Sequence, residues 1–204
     1  MVIEILDQDK ARTYLDDLSE MLVLVVKAGA SIGFLETITE DDARHFWEET
    51  ITSLDSERRV WLIAKDDAGK VIGTAQFEVG ARDNGKHRAE VQKVMVHPQA
   101  RRQGVARGLM VRLEQLAHEH NLKTLVLDTT LGEAAETMYS KLGYIRVGEI
   151  PDFAVYPDGR LHPTVIFYKL IDNFLQADRF STVAIPVSLE PSTLTATQPL
   201  VRAR

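Results

Sequence analysis

Not one of the 204 residues is cysteine. Disulfides, thiolate metal ligands and a thiol nucleophile are excluded together. No run of about 18 apolar residues occurs, so no membrane-spanning helix is expected. The opening MVIEILDQDK has neither a basic n-region nor a long apolar core, and no signal peptide is expected. Positive charge is not in excess either: 24 Lys and Arg stand against 30 Asp and Glu, a formal net charge of −6. That balance argues against nucleic acid as the main partner. A Walker-type G-K-[ST], a full G-x-G-x-x-G and a serine nucleophile elbow are all missing. A cytoplasmic protein is the default expectation, and 45% hydrophobic residues are enough for a sizeable core. One domain of ordinary size plus an appendage is expected.

The organising stretch runs from Arg88 to Asn121. Strand-formers fill Val91 to Val96, and His97-Pro98 ends the run. Gly104 then opens a helix whose apolar positions Val105, Leu109, Leu113, Leu116 and Ala117 recur every three to four residues. Free N–H groups at that helix N-terminus, with Arg101 and Arg102 beside them, suit phosphate oxygens. Between Arg82 and Arg107 seven Lys or Arg face two acids, against the acidic trend of the chain. A solvated strand-to-helix turn would carry the same charge.

Around this stretch the pattern predicts a strand over 2–6, one helix over 8–27, and a helix begun by Thr39 with Asp42 as a weak capping pair. Strands follow over 60–65 and 71–79, joined by a turn at Gly69. After the central helix come a strand over 123–128, a helix over 133–142, a strand over 144–149, a turn-rich loop over 152–161 and a last strand over 164–170. The strands at 90–96 and 123–128 should be parallel, because a helix crosses between them. The order β-α-α-β-β-β-α-β-α-β-β gives a mixed sheet with helices on both faces. Residues 181–199 hold seven Ser or Thr, three Pro and one charge, and read as a flexible tail or one added strand. The domain is expected over 1–172 and the C-terminal extension over 173–204.

Two motifs narrow the reading. Arg101-Arg102-Gln103-Gly104-Val105-Ala106 fits Q/R-x-x-G-x-G/A, and Ala135 to Tyr144, AETMYSKLGY, fits A-x-x-x-Y-x-x-x-G-Y/F. Set between EVQKVMVHP and an amphipathic helix, the first resembles the pyrophosphate loop of the GNAT acetyltransferases. The second resembles the segment of that family that closes on the thioester. Further blocks resemble a GNAT enzyme that acetylates a β-lactam amino-acid toxin: GASIGF (29–34), HRAEVQKVMVHPQAR (87–101), LDT (127–129) and VGEIPDFAVYPDGRLHPTVIFYK (147–169).

The resemblance implies an α/β (α+β) GNAT fold with a mixed, mostly antiparallel sheet. It implies N-acetyl transfer from acetyl-CoA, as co-substrate, to a small-molecule amine, with no metal, no membrane and no nucleic acid, in a monomer or homodimer. Backbone amides at Gln103, Gly104, Val105, Ala106 and Arg107, with Arg101 and Arg102, would hold the pyrophosphate. Val94, Met95 and Val96 would pair with the pantetheine arm. Ala106 stands where the family commonly has glycine. Tyr139 takes the role of proton donor to the thiolate, and Glu90 and Asp128 those of proton acceptors. An ammonium has no lone pair, so a base is required. Each residue also has an ordinary structural reading: Tyr139 as a core tyrosine beside Met138 and Leu142, Glu90 in an edge ion pair with Arg88 or Lys93, Asp128 as a helix cap. Tyr14, Phe34, Trp47 and Trp61 read as core, and His162 as a pocket residue. Without a cysteine, a thiol acyl-enzyme is impossible, so direct transfer in a ternary complex is expected. Protein or peptide N-acetylation and a catalytically idle acyl-CoA-binding module are the other readings.

Overall fold

The computed structural model describes residues 1–55, 58–156 and 159–171. The chain opens with β1 (Val2–Ile5), α1 (Gln8–Thr13) and α2 (Leu15–Lys27). One continuous helix was expected over 8–27. It breaks at Tyr14, where φ is −106° and ψ 11°. The Tyr14 hydroxyl donates to Glu4 Oε2 at 3.2 Å and accepts from Lys65 Nζ at 2.7 Å. Tyr14 is thus held at the β1 edge rather than in the core, and the bend lets Ala11 and Leu18 both bury fully.

The third helix, α3 (Glu40–Thr52), begins with a complete capping box between Thr39 and Asp42, firmer than the weak pair read from sequence. It places Trp47 flat against Trp61, ring centroids 5.0 Å apart. Trp47 Nε1 donates to the Leu18 carbonyl and Trp61 Nε1 to Thr74 Oγ1. Both tryptophans are buried core, as expected.

The remaining elements are β2 (Arg59–Lys65), β3 (Val71–Val79), β4 (Arg88–Val96), α4 (Val105–Glu119), β5 (Thr124–Thr130), α5 (Ala134–Lys141), β6 (Ile145–Val155) and β7 (Leu161–Leu170). The segment expected to be a loop over 152–161 is strand at both of its ends. β6 continues to Val155, and β7 begins at Leu161 rather than Thr164. β6 is an edge strand, exposed along most of its length and twice irregular in register, so neither alternation nor burial marks it in the sequence. β5 likewise runs two residues further than expected, because its pairing with β7 extends to Thr130↔Thr164. The expected extension over 173–204 lies outside the described residues. No helix among the described residues is long and apolar enough to cross a membrane.

The seven strands lie in the order β1-β2-β3-β4-β5-β7-β6. Every neighbouring pair is antiparallel except β4 and β5. That pair is parallel, as the crossover helix requires, but it lasts only from Arg88↔Thr124 to Glu90↔Val126. Beyond Glu90 the two strands part. Helices α1 to α3 cover one face of the sheet through a core holding Leu18, Leu22, Trp47 and Trp61. Helices α4 and α5 cover the other through Leu109, Leu113, Tyr139 and Phe167.

A bulge in β4 changes which residues meet which core. Its register against β3 jumps between Thr74↔Met95 and Gln76↔Gln92, and Lys93 takes a φ of 51°. Before the bulge, Ala89 and Val91 join the core under α4 and α5. After it, Val94 and Val96 do so, and Met95 enters the core under α2 and α3.

Candidate active site

The stretch after β4 builds an anion cradle. His97 turns the chain, its Nδ1 accepting from the Gln99 amide at 3.3 Å, the structural role expected of it. Arg101, Arg102, Gln103 and Gly104 are exposed. Gly104 is the N-cap of α4 at φ 82°, with no side-chain cap, and the first turn of α4 carries no acid. Its N–H groups are thus left to an external acceptor. The cradle is fixed from below by Gly73 of β3. A Cβ there would lie 2.7 Å from Val105 Cγ1 and 3.1 Å from Leu109 Cδ1. The bare backbone lets the first turn of α4 settle on the sheet. Val105 is buried, Ala106 partly so, and Arg107 exposed. The donor set fits a diphosphate: main-chain amides, three exposed arginines and no competing carboxylate in the turn.

The parted strands supply the second half of the site. Among the described residues, the side of β4 away from β3 faces no strand from Val91 to Val96, so its backbone can pair with an extended arm. Val94, Met95 and Val96 lie on that stretch. Glu90 stands at the fork, and its register partner Val126 lies two residues before Asp128 on the same face of β5. Two strand residues correspond to about 7 Å. Glu90 is exposed and takes part in none of the ion pairs found among the described residues. The pairing with Arg88 or Lys93 that sequence allowed does not form. Glu90 instead joins Arg58, Glu78, Arg88 and Gln92 around an open cavity of about 360 Å³ on the α1–α3 side of the sheet.

Asp128 is no helix cap. It lies within β5, and its Oδ2 is 2.8 Å from Thr164 Oγ1. Tyr139 comes from the opposite face, in the core under α5, 5.6 Å from the Tyr144 ring and 6.2 Å from that of Phe167. Burial pushes its phenol well above the ordinary tyrosine value, and the negative charge of Asp128 adds to the rise. Tyr139 is therefore a core residue, as its structural reading has it. The fork is where groups from the two faces meet.

Several residues around Asp128 were not singled out in the sequence as site residues. Lys93, at the bulge, sends Nζ to the Ile32 carbonyl at 2.8 Å, over the rings of Phe34 and Phe46 at 5.6 and 5.1 Å. Phe34 is half-buried and packs against the margin of the core under α1 to α3. Tyr156 donates to Thr130 Oγ1 at 2.6 Å and stacks on His162 at 4.2 Å, so the β6–β7 hairpin closes over the end of β5. The long 147–169 block pointed to this hairpin, and His162 does belong to it. The bulge at Lys93 left no mark in composition or periodicity.

Comparison with known proteins agrees with the fold. The family model described as Acetyltransferase (GNAT) family matches residues 30–144, over half of the chain. A ribosomal-protein-alanine N-acetyltransferase from Brucella melitensis shares the fold at 20% identity and a TM-score of 0.65, over 83% of this chain and 99% of that one. So does yncA from Salmonella typhimurium, solved with its cofactor acetyl-CoA, at 20% identity and 0.66, over 93% and 99%. A variant of the spermidine N-acetyltransferase SpeG from Vibrio cholerae follows at 18% and 0.62, over 86% and 98%.

Proposed function

Since the chain belongs to the acetyltransferase (GNAT) family and uses acetyl-CoA, we propose that it acetylates the primary amine of a small molecule held on the Glu90–Asp128 face. The observation that carries this reading is the parting of β4 from β5 beyond Glu90, which leaves the Glu90 and Asp128 carboxylates on one face of the sheet at the open fork. Asp128 is a carboxylate able to take a proton, and Tyr139, from the opposite face, is a phenol kept neutral by burial. Acetyl-CoA supplies the acetyl group as a thioester.

The uncapped turn at Gly104 and the three arginines hold the diphosphate. The free side of β4 from Val94 to Val96 pairs with the pantetheine arm. Asp128 accepts a proton from the acceptor ammonium, directly or through one water, and so exposes the nitrogen lone pair. Tyr139, a weaker acid than the thiol, steadies the departing sulfur by donating a hydrogen bond and keeps its own proton. Overall the ammonium gives up two protons; one ends on the thiol and the other leaves to solvent. Glu90, in the wider cavity, orients the acceptor and offers a second carboxylate to the water path. Transfer is direct, in a ternary complex.

The finer acceptor identity rests on the resemblance of the 29–34, 87–101, 127–129 and 147–169 blocks to the tabtoxin resistance protein. A cavity of this size suits a small amine better than a folded protein surface. CoA release across a panel of amines, with tabtoxinine-β-lactam and an N-terminal peptide included, tests the whole reading. Asp128→Asn should lower turnover about 10²–10⁴-fold, and Glu90→Gln should act mainly on the acceptor KM. Wild-type turnover in both variants, or parallel double-reciprocal lines for the two substrates, would refute the scheme.

A further inference from the structure

We infer that Lys169 is a positioning residue for acetyl transfer: by holding Glu114 of α4 and the Leu142 carbonyl at the end of α5 together, it sets where Tyr139 stands relative to the cofactor cradle. This rests on the acetyl-transfer reading above and adds to it a residue outside the cleft.

The need for such a residue lies in α5. The helix has eight residues, and helices under about 12 residues are marginal alone. Its one fully buried side chain is Tyr139 itself, while Ala135 and Met138 pack against the core only partly buried. Glu133 at its N-cap makes no side-chain cap. The first turn is held near the surface, where Glu136 accepts from the Gly132 amide at 3.0 Å and faces Arg146 at 3.4 Å. Exposed ion pairs of this kind hold a helix weakly.

The other end is tied to the sheet. Lys169 lies on β7, paired with Leu125 of β5, the strand that carries Asp128. Its Nζ donates to the Leu142 carbonyl and to Glu114 Oε2, both at 2.6 Å. Leu142 and Tyr144 in turn donate their amides to the Tyr139 carbonyl, at 3.1 and 3.0 Å. The same ammonium lies 5.5 Å from the centre of the Tyr144 ring, which meets the Tyr139 ring edge-on at 5.6 Å. One cation therefore holds Tyr139 twice, through its backbone and through the ring beside it. Glu114 belongs to α4, whose first turn forms the cradle. The phosphate site and the tyrosine are thus referred to one nitrogen. An apolar pair in place of Lys169 and Glu114 would fill the same space, yet it would leave the Leu142 carbonyl without this donor.

The experiment measures CoA release by the intact protein, with saturating acetyl-CoA and the amine of the panel above that is turned over fastest. Lys169→Met alone leaves Glu114 buried without its cation, so kinetics are read on Lys169→Met/Glu114→Met, with folding checked by equilibrium unfolding. This double variant should lose about 10–100-fold in kcat, the cost of a misplaced reacting group. Its KM values for acetyl-CoA and for the amine should stay within about twofold of wild type. Lys169→Arg, which keeps the charge and the Glu114 partner, should retain part of the lost kcat. Tyr139→Phe should itself lower kcat, and adding the double substitution to it should change kcat by less than about twofold, because the phenol being positioned is gone. Wild-type kcat in the double variant would overturn the inference while leaving acetyl transfer intact. An equal loss in the Tyr139→Phe background would also overturn it, by reducing Lys169 to a prop for the core. Wild-type kcat in Tyr139→Phe would remove the tyrosine from the transfer step, and the inference with it. A wild type that binds acetyl-CoA but acetylates no amine would remove the acetyl-transfer reading.

Discussion

The hydroxyl of Thr164 stands 2.8 Å from Asp128 Oδ2 and 2.9 Å from the Thr129 carbonyl. A hydroxyl has one hydrogen, and a carbonyl can only accept. When Asp128 is a carboxylate, Thr164 donates to it. When Asp128 holds a proton, Thr164 can accept that proton's hydrogen bond and turn its own hydrogen to Thr129. Both charge states of the proposed base are thus satisfied without moving the backbone. Thr164→Val should lower kcat roughly 10–100-fold, the worth of a hydrogen bond to a charged group, with the acetyl-CoA KM unchanged. Thr164→Ser should restore it. Steady-state kinetics of the two variants decide the matter.

Charge at the cradle should appear in affinity rather than turnover. Reversing Arg101 and Arg102 to Glu places two negative charges at an uncapped helix N-terminus. The acetyl-CoA KM should rise about 10²-fold at low salt, and the gap should narrow as salt is added. Turnover at saturation should hold. Titrating KM against ionic strength in both proteins checks it.

The two tyrosines under α5 make stability depend on alkaline pH. Burial raises the phenols of both Tyr139 and Tyr144, helped by Asp128 at the first and Glu114 at the second. Unfolded tyrosines ionise near 10, so above that pH the unfolded chain sheds protons that the folded one keeps. Their contribution is complete below about pH 10 and falls as pH climbs toward the folded values. Denaturant unfolding between about pH 9 and 11 should show a downward slope, shallower in Tyr144→Phe.

Lys169 bridges α4 to the end of α5. Its Nζ is 2.6 Å from both Glu114 Oε2 and the Leu142 carbonyl, and the Glu114 side chain is only 2% exposed. Removing the cation leaves a buried carboxylate without it. Lys169→Met should cost about 3–5 kcal/mol by equilibrium unfolding. Adding Glu114→Met should recover part of the loss, because a buried ion pair is worth far less than the cost of removing only its cation.

Much of this molecule could be read from residue pattern, because its periodicities are local. The α4 stripe from Val105 to Ala117, the turn at Gly69 and the strand after Arg88 each carry their own signal within a few residues. The cradle was legible for the same reason, since Gly104 and its arginines are consecutive. Other features are set by partners far along the chain. Tyr14 bends its helix through Lys65, fifty-one residues away. β6 is a strand only because β7 lies beside it, despite Gly148, Pro151 and an Asp152 at φ 49°. Thr164 was merely the start of a strand until β7 brought it to Asp128. Lys93 was one charge among seven until the bulge turned it toward Phe34.

The single surplus residue in β4 acts as a phase shift. Upstream of Lys93 the odd positions look toward α4 and α5; downstream the even ones do. Deleting one residue there would leave the composition of the strand almost unaltered, yet it would exchange the environments of Met95 and its valine neighbours. The proposed donor-binding track and the proposed acceptor-facing floor are cut from the same nine residues, and the offset lets one ribbon serve both. Evolution can therefore retune the floor upstream of this joint while the track downstream stays in step.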